Sequence, residues 1–379
     1  MQIPILRIPF TDDDIGFVQE GIRQVMKSGY LVMGKYTQMF EEKFKEFVGC
    51  KYAIATNSCT SALEIILRAL NVEGSTVIVP TNTFVATAFS AIHAGAKVIF
   101  ADSIKENFCL DPDDLKRKIK SHTKAVIVVH IGGIISPYIE EIKAICEEKG
   151  IYLVEDAAHA HGCSYKGIPA GRWGIAGAFS FFPTKVLTSG EGGIITTDDE
   201  EIYKKSLILR NHGKNPEQKN SITHLGYNWR MSELNAVLAV QQMNKADWII
   251  SERRRVATFY DENLKNINGI RPLELNNDLY STYYKYICYL DEGINRDKFK
   301  KTLKEKYGIS LTGEVYDVSC HDEPYFKNEK EWVLNPNDNF PGANYIKKRH
   351  ICLPCYPGLM KEELEYTVKS IKKCLSEIL

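Results

Sequence analysis

Five short segments hold side chains able to do chemistry: 57–61, 80–84, 130–133, 156–161 and 180–185. Each follows an apolar run that reads as a β-strand, and in open α/β sheets ligands bind outside the carboxyl ends of the strands. Lys185 comes after Ala178-Phe-Ser-Phe-Phe182 and Pro183. A lone lysine at a strand end ordinarily reaches solvent. Here a glycine-rich stretch follows, Thr188-Ser-Gly-Glu-Gly-Gly193, and glycines let backbone approach a ligand closely. In a partly desolvated cleft a lysine amine can attack a carbonyl. Asp156 ends the apolar run Tyr152–Asp156. A carboxylate there can be a plain helix cap, but its distinctive use is to hold a protonated ring nitrogen. Thr60 and Ser61 stand where a strand passes into a helix, so their hydroxyls are either caps or, with free N–H groups, a phosphate cup. Phe84 adds an aromatic face and Ser180 a further hydroxyl. Each residue alone is ambiguous. Together they are the parts that pyridoxal 5'-phosphate (PLP) needs: phosphate cup, ring stacker, carboxylate for the pyridine nitrogen, and a Schiff-base lysine.

The elements that must position these groups are legible in outline. Strands are expected at 52–57, 77–80, 97–102, 125–130, 152–156, 178–182 and 193–197. Helical patterns lie between them, at 61–70 with Thr60 as cap candidate, at 84–94 and at 139–149. Repeated strand–helix alternation implies an α/β fold, with a mostly parallel seven-stranded sheet between helices. Runs apolar throughout, such as Ala125-Val-Ile-Val-Val129, fit strands covered on both faces. From Met231 to about Lys265 no Gly or Pro occurs, and the stretch reads as helix from Ser232, with room for one break. Residues 284–290 read as a strand, and 296–306 and 361–376 as charged helices. We expect a large PLP-binding domain with an N-terminal arm over 1–245 and a smaller C-terminal α+β domain over 246–379. Residues 317–341 read as a loop excursion.

The chain has 379 residues, 44 % of them hydrophobic and 25 % charged, which suits a globular protein with a sizeable core. Lys plus Arg and Asp plus Glu number 48 each, so the net charge is zero and gives no reason to expect nucleic acid or an anionic membrane as partner. Arg253-Arg254-Arg255 reads as a solvated helix face. The start MQIPILRIPF lacks a charged segment followed by a long apolar one, so no secretory signal is expected, and no run of 18 apolar residues suggests a membrane span. Ten scattered cysteines then read as reduced thiols in a cytoplasm. Only Cys352-Leu-Pro-Cys355 has metal or redox spacing, and without a second such pair no metal site is expected.

Several motifs resemble the DegT/StrS family of PLP-dependent sugar aminotransferases, in the family's order over most of the chain. They are Asn57-Ser-Cys-Thr-Ser-Ala-Leu63, Pro80-Thr-Asn-Thr-Phe-Val-Ala-Thr87, Glu155-Asp-Ala-Ala-His-Ala-His-Gly162 and Phe179-Ser-Phe-Phe-Pro-Thr-Lys185. Gly190-Glu-Gly-Gly193, Arg210-Asn-His-Gly213, Gly226-Tyr-Asn-Trp-Arg-Met231 and Leu353-Pro-Cys-Tyr-Pro357 follow. The resemblance implies a fold-type I enzyme with Lys185 carrying the cofactor and Asp156 on the pyridine nitrogen. It implies Phe84 stacked on one side of the ring and His159 on the other, with Thr60, Ser61 and Ser180 at the phosphate. It implies a homodimer in which Asn228 reaches the phosphate of the other subunit, with Arg230 and His321 near the substrate. It also implies an amino donor, L-glutamate, and a keto-sugar acceptor that is nucleotide-linked. Cys59 departs from the small residue common in the family, and the 130–136 segment departs from its aromatic-containing loop; both are expected to line the cleft. Relatives with histidine at the lysine position act as dehydratases, and Lys185 argues against that branch. Alternatives stay open from the residues alone: another PLP reaction, a keto polyol, inosose or small phosphorylated ketone as acceptor, or a non-catalytic regulator on the same scaffold.

Overall fold

The computed structural model describes residues 1–311 and 313–378. Its main sheet has seven strands: β1 (Tyr52–Thr56), β2 (Thr76–Pro80), β3 (Lys97–Ala101), β4 (Thr123–Val129), β5 (Tyr152–Asp156), β6 (Ala176–Ser180) and β7 (Gly193–Thr197). Their order is β1-β7-β6-β5-β4-β2-β3. Pairing is parallel from β6 through β5, β4 and β2 to β3, and antiparallel on both sides of β7. Strand β7 alone is therefore reversed, and the carboxyl ends of the other six open on one side.

The sequence builds this layer by alternation. In β4, Val126 and Val128 face one apolar cluster while Ala125 and Ile127 face the other, and Ile78 against Val77 and Val79 repeats this in β2. Because both faces are buried, the strands carry apolar residues toward both clusters, as expected for a sheet covered by helices. The sixth strand ends at Ser180, two residues before the sequence pattern suggested, since Phe181 and Phe182 leave the ladder ahead of Pro183.

The helix after β1 spans Cys59–Ala69, and its N-cap is Ser58, whose hydroxyl accepts from the Ser61 N–H; Thr60 lies inside the first turn and is not the cap. The long helical stretch starts after the N-cap Ser232 and breaks at Lys245 into Glu233–Asn244 and Ala246–Leu264. Glu233 does unusual duty there. Its carboxylate accepts from the N–H groups of Gly34, Tyr36 and Thr37 at 2.8–2.9 Å, so it caps the helix Lys35–Val48, whose own N-cap Gly34 has no side chain to offer.

A second, antiparallel sheet has the order β8 (Ile270–Pro272), β9 (Tyr286–Leu290), β10 (His350–Leu353). With the helices Ala246–Leu264, Arg296–Tyr307 and Lys361–Ile378 it encloses a third apolar cluster, which Ile3 joins from the chain start. Arg253 is buried, against the expectation of a solvated face; its guanidinium reaches the carbonyls of Tyr283 and Cys355 at 3.1 and 2.8 Å. Arg254 lies over the Tyr280 ring and Arg255 is exposed. The excursion from 317 to 341 holds a short helix, Pro324–Asn328, and then closes the sheet's outer edge. There Val98 donates to the Trp332 carbonyl at 2.7 Å and Asn335 exchanges two 2.8 Å bonds with Phe100. An open strand edge is thereby covered.

Candidate active site

The strand ends converge on a cavity of about 310 Å³, within the range of roughly 300–1,000 Å³ usual for small-molecule sites. Its wall takes Ser58, Cys59 and Thr60 from the segment after β1, Thr83 and Phe84 from that after β2, and Asp156, Ala158 and His159 from the end of β5. Ser180, Thr184 and Lys185 come from the end of β6, Gly192 from the approach to β7, and Tyr284 and Tyr316 from the C-terminal third. The glycine that opens that strand has a steric reason: a Cβ on Gly193 would sit 2.3 Å from the Ser58 carbonyl carbon, so only glycine lets β7 run beside the start of the helix.

Asp156 is buried at the end of β5. Thr87 donates to its Oδ2 at 2.7 Å and the Ala158 N–H to its Oδ1 at 3.1 Å. Burial pushes the carboxyl above its ordinary pKa, while these two donors and Lys185 favour the ionised form. A cationic N–H in the cavity would complete its set of partners. His159 is neutral: burial drives its imidazole well below the usual value, with Lys185 adding to the effect. Its Nδ1 accepts from the Gly132 N–H at 3.2 Å, which leaves the proton on Nε2, 3.3 Å from the Tyr316 hydroxyl. The Lys185 ammonium lies 4.9 Å from the centre of the Tyr284 ring, and among the described residues it has no carboxylate partner.

The structure thus gathers Lys185, Asp156, Thr60, Phe84, His159 and Ser180 around one cavity. Ser61 is not in its wall; it is buried with its hydroxyl 3.0 Å from that of Ser58, and Ser58 lines the cavity in its place. His321 is also displaced. The turn Cys320–Asp322 is pinned beneath β2 by the Cys320 N–H on the Thr81 carbonyl, and His321 Nδ1 lies 2.7 Å from Thr81 Oγ1 with its ring against Phe340. Tyr316, five residues earlier, is what this segment delivers into the cavity. Within one chain Asn228 and Arg230 stay outside the wall: Asn228 is exposed and bridges to Asn211, and Arg230 donates to Asn211 Oδ1 at 2.8 Å. Cys59 does line the cavity, but the 130–136 loop does not. His130 turns inward to Glu155, 2.8 Å away, and the loop supports the wall from behind through the Gly132 N–H on His159. Sequence reasoning gave Thr87 no role, though it closes a family motif, and missed Tyr284 and Tyr316. Thr87 falls one helical turn after Thr83 and could have been found by that spacing; the two tyrosines carry no such signal.

The sequence matches the DegT/DnrJ/EryC1/StrS aminotransferase family over residues 13–372. The chain belongs to this family of PLP-dependent aminotransferases. It is 34 % identical over 369 residues to the spore coat polysaccharide biosynthesis protein SpsC of Bacillus subtilis, covering 94 % of this chain and 93 % of that one. It is 32 % identical over 348 residues to GDP-perosamine synthase of Vibrio cholerae, covering 90 % of each. The aminotransferase superposes on PseC of Helicobacter pylori, an aminotransferase involved in pseudaminic acid biosynthesis, with a TM-score of 0.90 and 26 % identity over the whole of both chains. Spr1654 of Streptococcus pneumoniae in its PLP form gives a TM-score of 0.89 at 28 % identity, again over both whole chains. The aminotransferase has no helix among the described residues long and apolar enough to cross a membrane.

Proposed function

We propose that this aminotransferase uses PLP to move the amino group of L-glutamate to the keto carbon of a nucleotide-linked sugar, in two half-reactions with ping-pong kinetics. The observation that carries the reading is Lys185 and Asp156 facing one cavity, the lysine without a carboxylate partner among the described residues and the aspartate held at both oxygens, by Thr87 and the Ala158 N–H.

The residues present fit the cofactor. Hydroxyls of Thr60, Ser58 and Ser180 surround the first turn of the helix Cys59–Ala69, where free N–H groups favour a phosphate. Asp156 would hold the pyridine N–H, Phe84 would cover one ring face, and neutral His159 would offer its Nε2 proton to the ring's substituents. Bound there, PLP supplies an electron sink for the carbanion at the donor's α-carbon. Lys185 would carry the cofactor covalently and, once released, move the proton from that carbon as a general base. Burial raises the pKa of the Asp156 carboxyl, the Thr87 and Ala158 donors favour its ionised form, and that carboxylate would hold the pyridine protonated in both half-reactions.

We also propose a homodimer in the cytoplasm. Met26, Tyr30, Leu31 and Val32 form an exposed apolar stretch, and Ile222 and Leu225 are 71 % and 79 % exposed. Such surfaces fit burial against a second copy, which would let Asn228 reach the partner's phosphate cup. Ten unpaired thiols suit a reducing compartment.

The test is spectroscopic. PLP added to the purified protein should give a visible band that borohydride traps on Lys185. Glutamate should bleach that band, and a keto-sugar nucleotide should restore it. Lys185→Ala should abolish turnover; turnover at the wild-type rate in that variant would sink the proposal.

A further inference from the structure

The Tyr284 ring is the contact the structure provides for the Lys185 head group, and it is held from several sides. It stacks on His159 with ring centres 4.1 Å apart and planes 22° from parallel. Its hydroxyl lies 3.3 Å from Thr184 Oγ1. Its backbone is fixed from behind, because buried Arg253 sends Nη1 to the carbonyl of Tyr283 at 3.1 Å and toward that of Tyr284 at 3.5 Å. Arg253 has no carboxylate partner among the described residues, so its charge is spent on these carbonyls and that of Cys355. A second ammonium, that of Lys285, lies 5.1 Å from the same ring centre. Both lysines are within the reach of about 6 Å over which an aromatic face attracts a cation.

From this we infer that Tyr284 is a positioning residue for the amino-transfer reaction: its ring face is the cradle that receives the Lys185 amine whenever the lysine is not bonded to the cofactor. The inference rests on the reading of Lys185 given above. A lysine has four rotatable bonds, and a freed amine with no fixed partner would sample many rotamers before returning to the reacting carbon. A ring face at 4.9 Å restricts that search without forming a hydrogen bond that would have to break for each proton transfer. The charge balance around the ring agrees. Burial opposes ionisation of the Tyr284 phenol, yet Lys185, Lys285, the Thr184 hydroxyl and Arg253 together draw its pKa below the ordinary tyrosine value.

The experiment compares Tyr284→Leu, Tyr284→Phe and wild type in single-turnover reaction with ordinary and α-deuterated glutamate, following loss of the visible band. The rate at which PLP added to apoprotein becomes linked to Lys185 is measured alongside, as a readout independent of turnover. In Tyr284→Leu both rates should fall about tenfold, and the deuterium isotope effect should rise as proton transfer becomes limiting. Tyr284→Phe, which keeps the ring face, should rescue most of that loss. Wild-type rates in Tyr284→Leu would overturn the inference. So would equal damage in the Phe variant, which would give the role to the hydroxyl. If the Leu variant fails to fold, Tyr284→Met removes the ring at similar length and is read the same way. A wild-type protein that shows no band with PLP removes the aminotransferase chemistry itself; a wild type that reacts beside an unimpaired Leu variant removes only the role of Tyr284.

Discussion

Thr87 donates a 2.7 Å hydrogen bond to Oδ2 of Asp156, and Thr83 lies 2.8 Å from the Thr87 hydroxyl on the other side. Helix Val85–His93 thus supports the strand-end carboxylate. Burial favours the neutral acid, so each donor matters to keeping the charge. A hydrogen bond to a charged group contributes about 1.5–3 kcal/mol. Thr87→Val should therefore weaken PLP binding by roughly tenfold or more, measured by titrating apoprotein. Unchanged affinity would show that Ala158 alone suffices.

Acid should destabilise the fold through His350. The Val315 N–H donates to its Nε2 at 3.0 Å and its Nδ1 lies 2.7 Å from the Ile346 carbonyl, so the neutral ring is the one that fits. Burial lowers its pKa from 6.5 to about 4. A depressed histidine means the unfolded chain takes up the proton first. Its contribution is complete above pH 6.5 and disappears as pH falls to about 4, a loss of about 3 kcal/mol. Urea melts at pH 7.5 and 4.5 should show it. His350→Leu should flatten this dependence while lowering stability at pH 7.5, because the Val315 N–H loses its acceptor.

His161 makes the opposite case. It is fully buried beside Phe44, Phe179 and Phe181, and neither ring nitrogen has a hydrogen-bond partner among the described residues. Burial takes its pKa to about 3. With no bond to lose, His161→Leu should hold or raise the melting temperature at pH 7.5, since an unpaired buried polar group costs free energy. It should also lessen the loss of stability between pH 6.5 and about 3. A drop of several degrees at pH 7.5 would mean that the ring has a partner in solution, such as a buried water.

What the sequence made legible follows from range. Strands β2 to β5 have continuous apolar centres, and their ends name Asp156 and Phe84 directly; Lys185 follows β6 within five residues. The cap shifted from Thr60 to Ser58 because both are good caps and only backbone angles separate them. Tyr284 and Tyr316 arrive from segments 99 and 131 residues beyond Lys185, with no periodicity to mark them. His321 and Arg253 show the limit on polar residues: a histidine in a loop reads as a substrate contact and an arginine in a charged run as solvated until the hydroxyl and carbonyls that absorb them are placed by folding. The strap at 332–335 was hidden for the same reason, since edge pairing depends on which strand ends the sheet.

Glu233 is the remaining long-range polar contact with a measurable consequence. The helix Lys35–Val48 begins at a glycine, which leaves its first N–H groups without a local acceptor. One carboxylate, fully buried and nearly 200 residues away, accepts three of them. It also faces the Thr37 hydroxyl. Negative charge at a helix N-terminus gains from the helix dipole as well. Replacement by alanine leaves the donors buried and unpaired, so Glu233→Ala should cost about 3 kcal/mol or more. Glu233→Gln keeps one acceptor oxygen and turns an amide donor toward N–H groups, so it should recover only a small part. Urea denaturation of the three proteins, read as midpoints at constant slope, checks the order. If Gln matched wild type, charge and the second oxygen would contribute nothing, and the cap would reduce to a single neutral hydrogen bond.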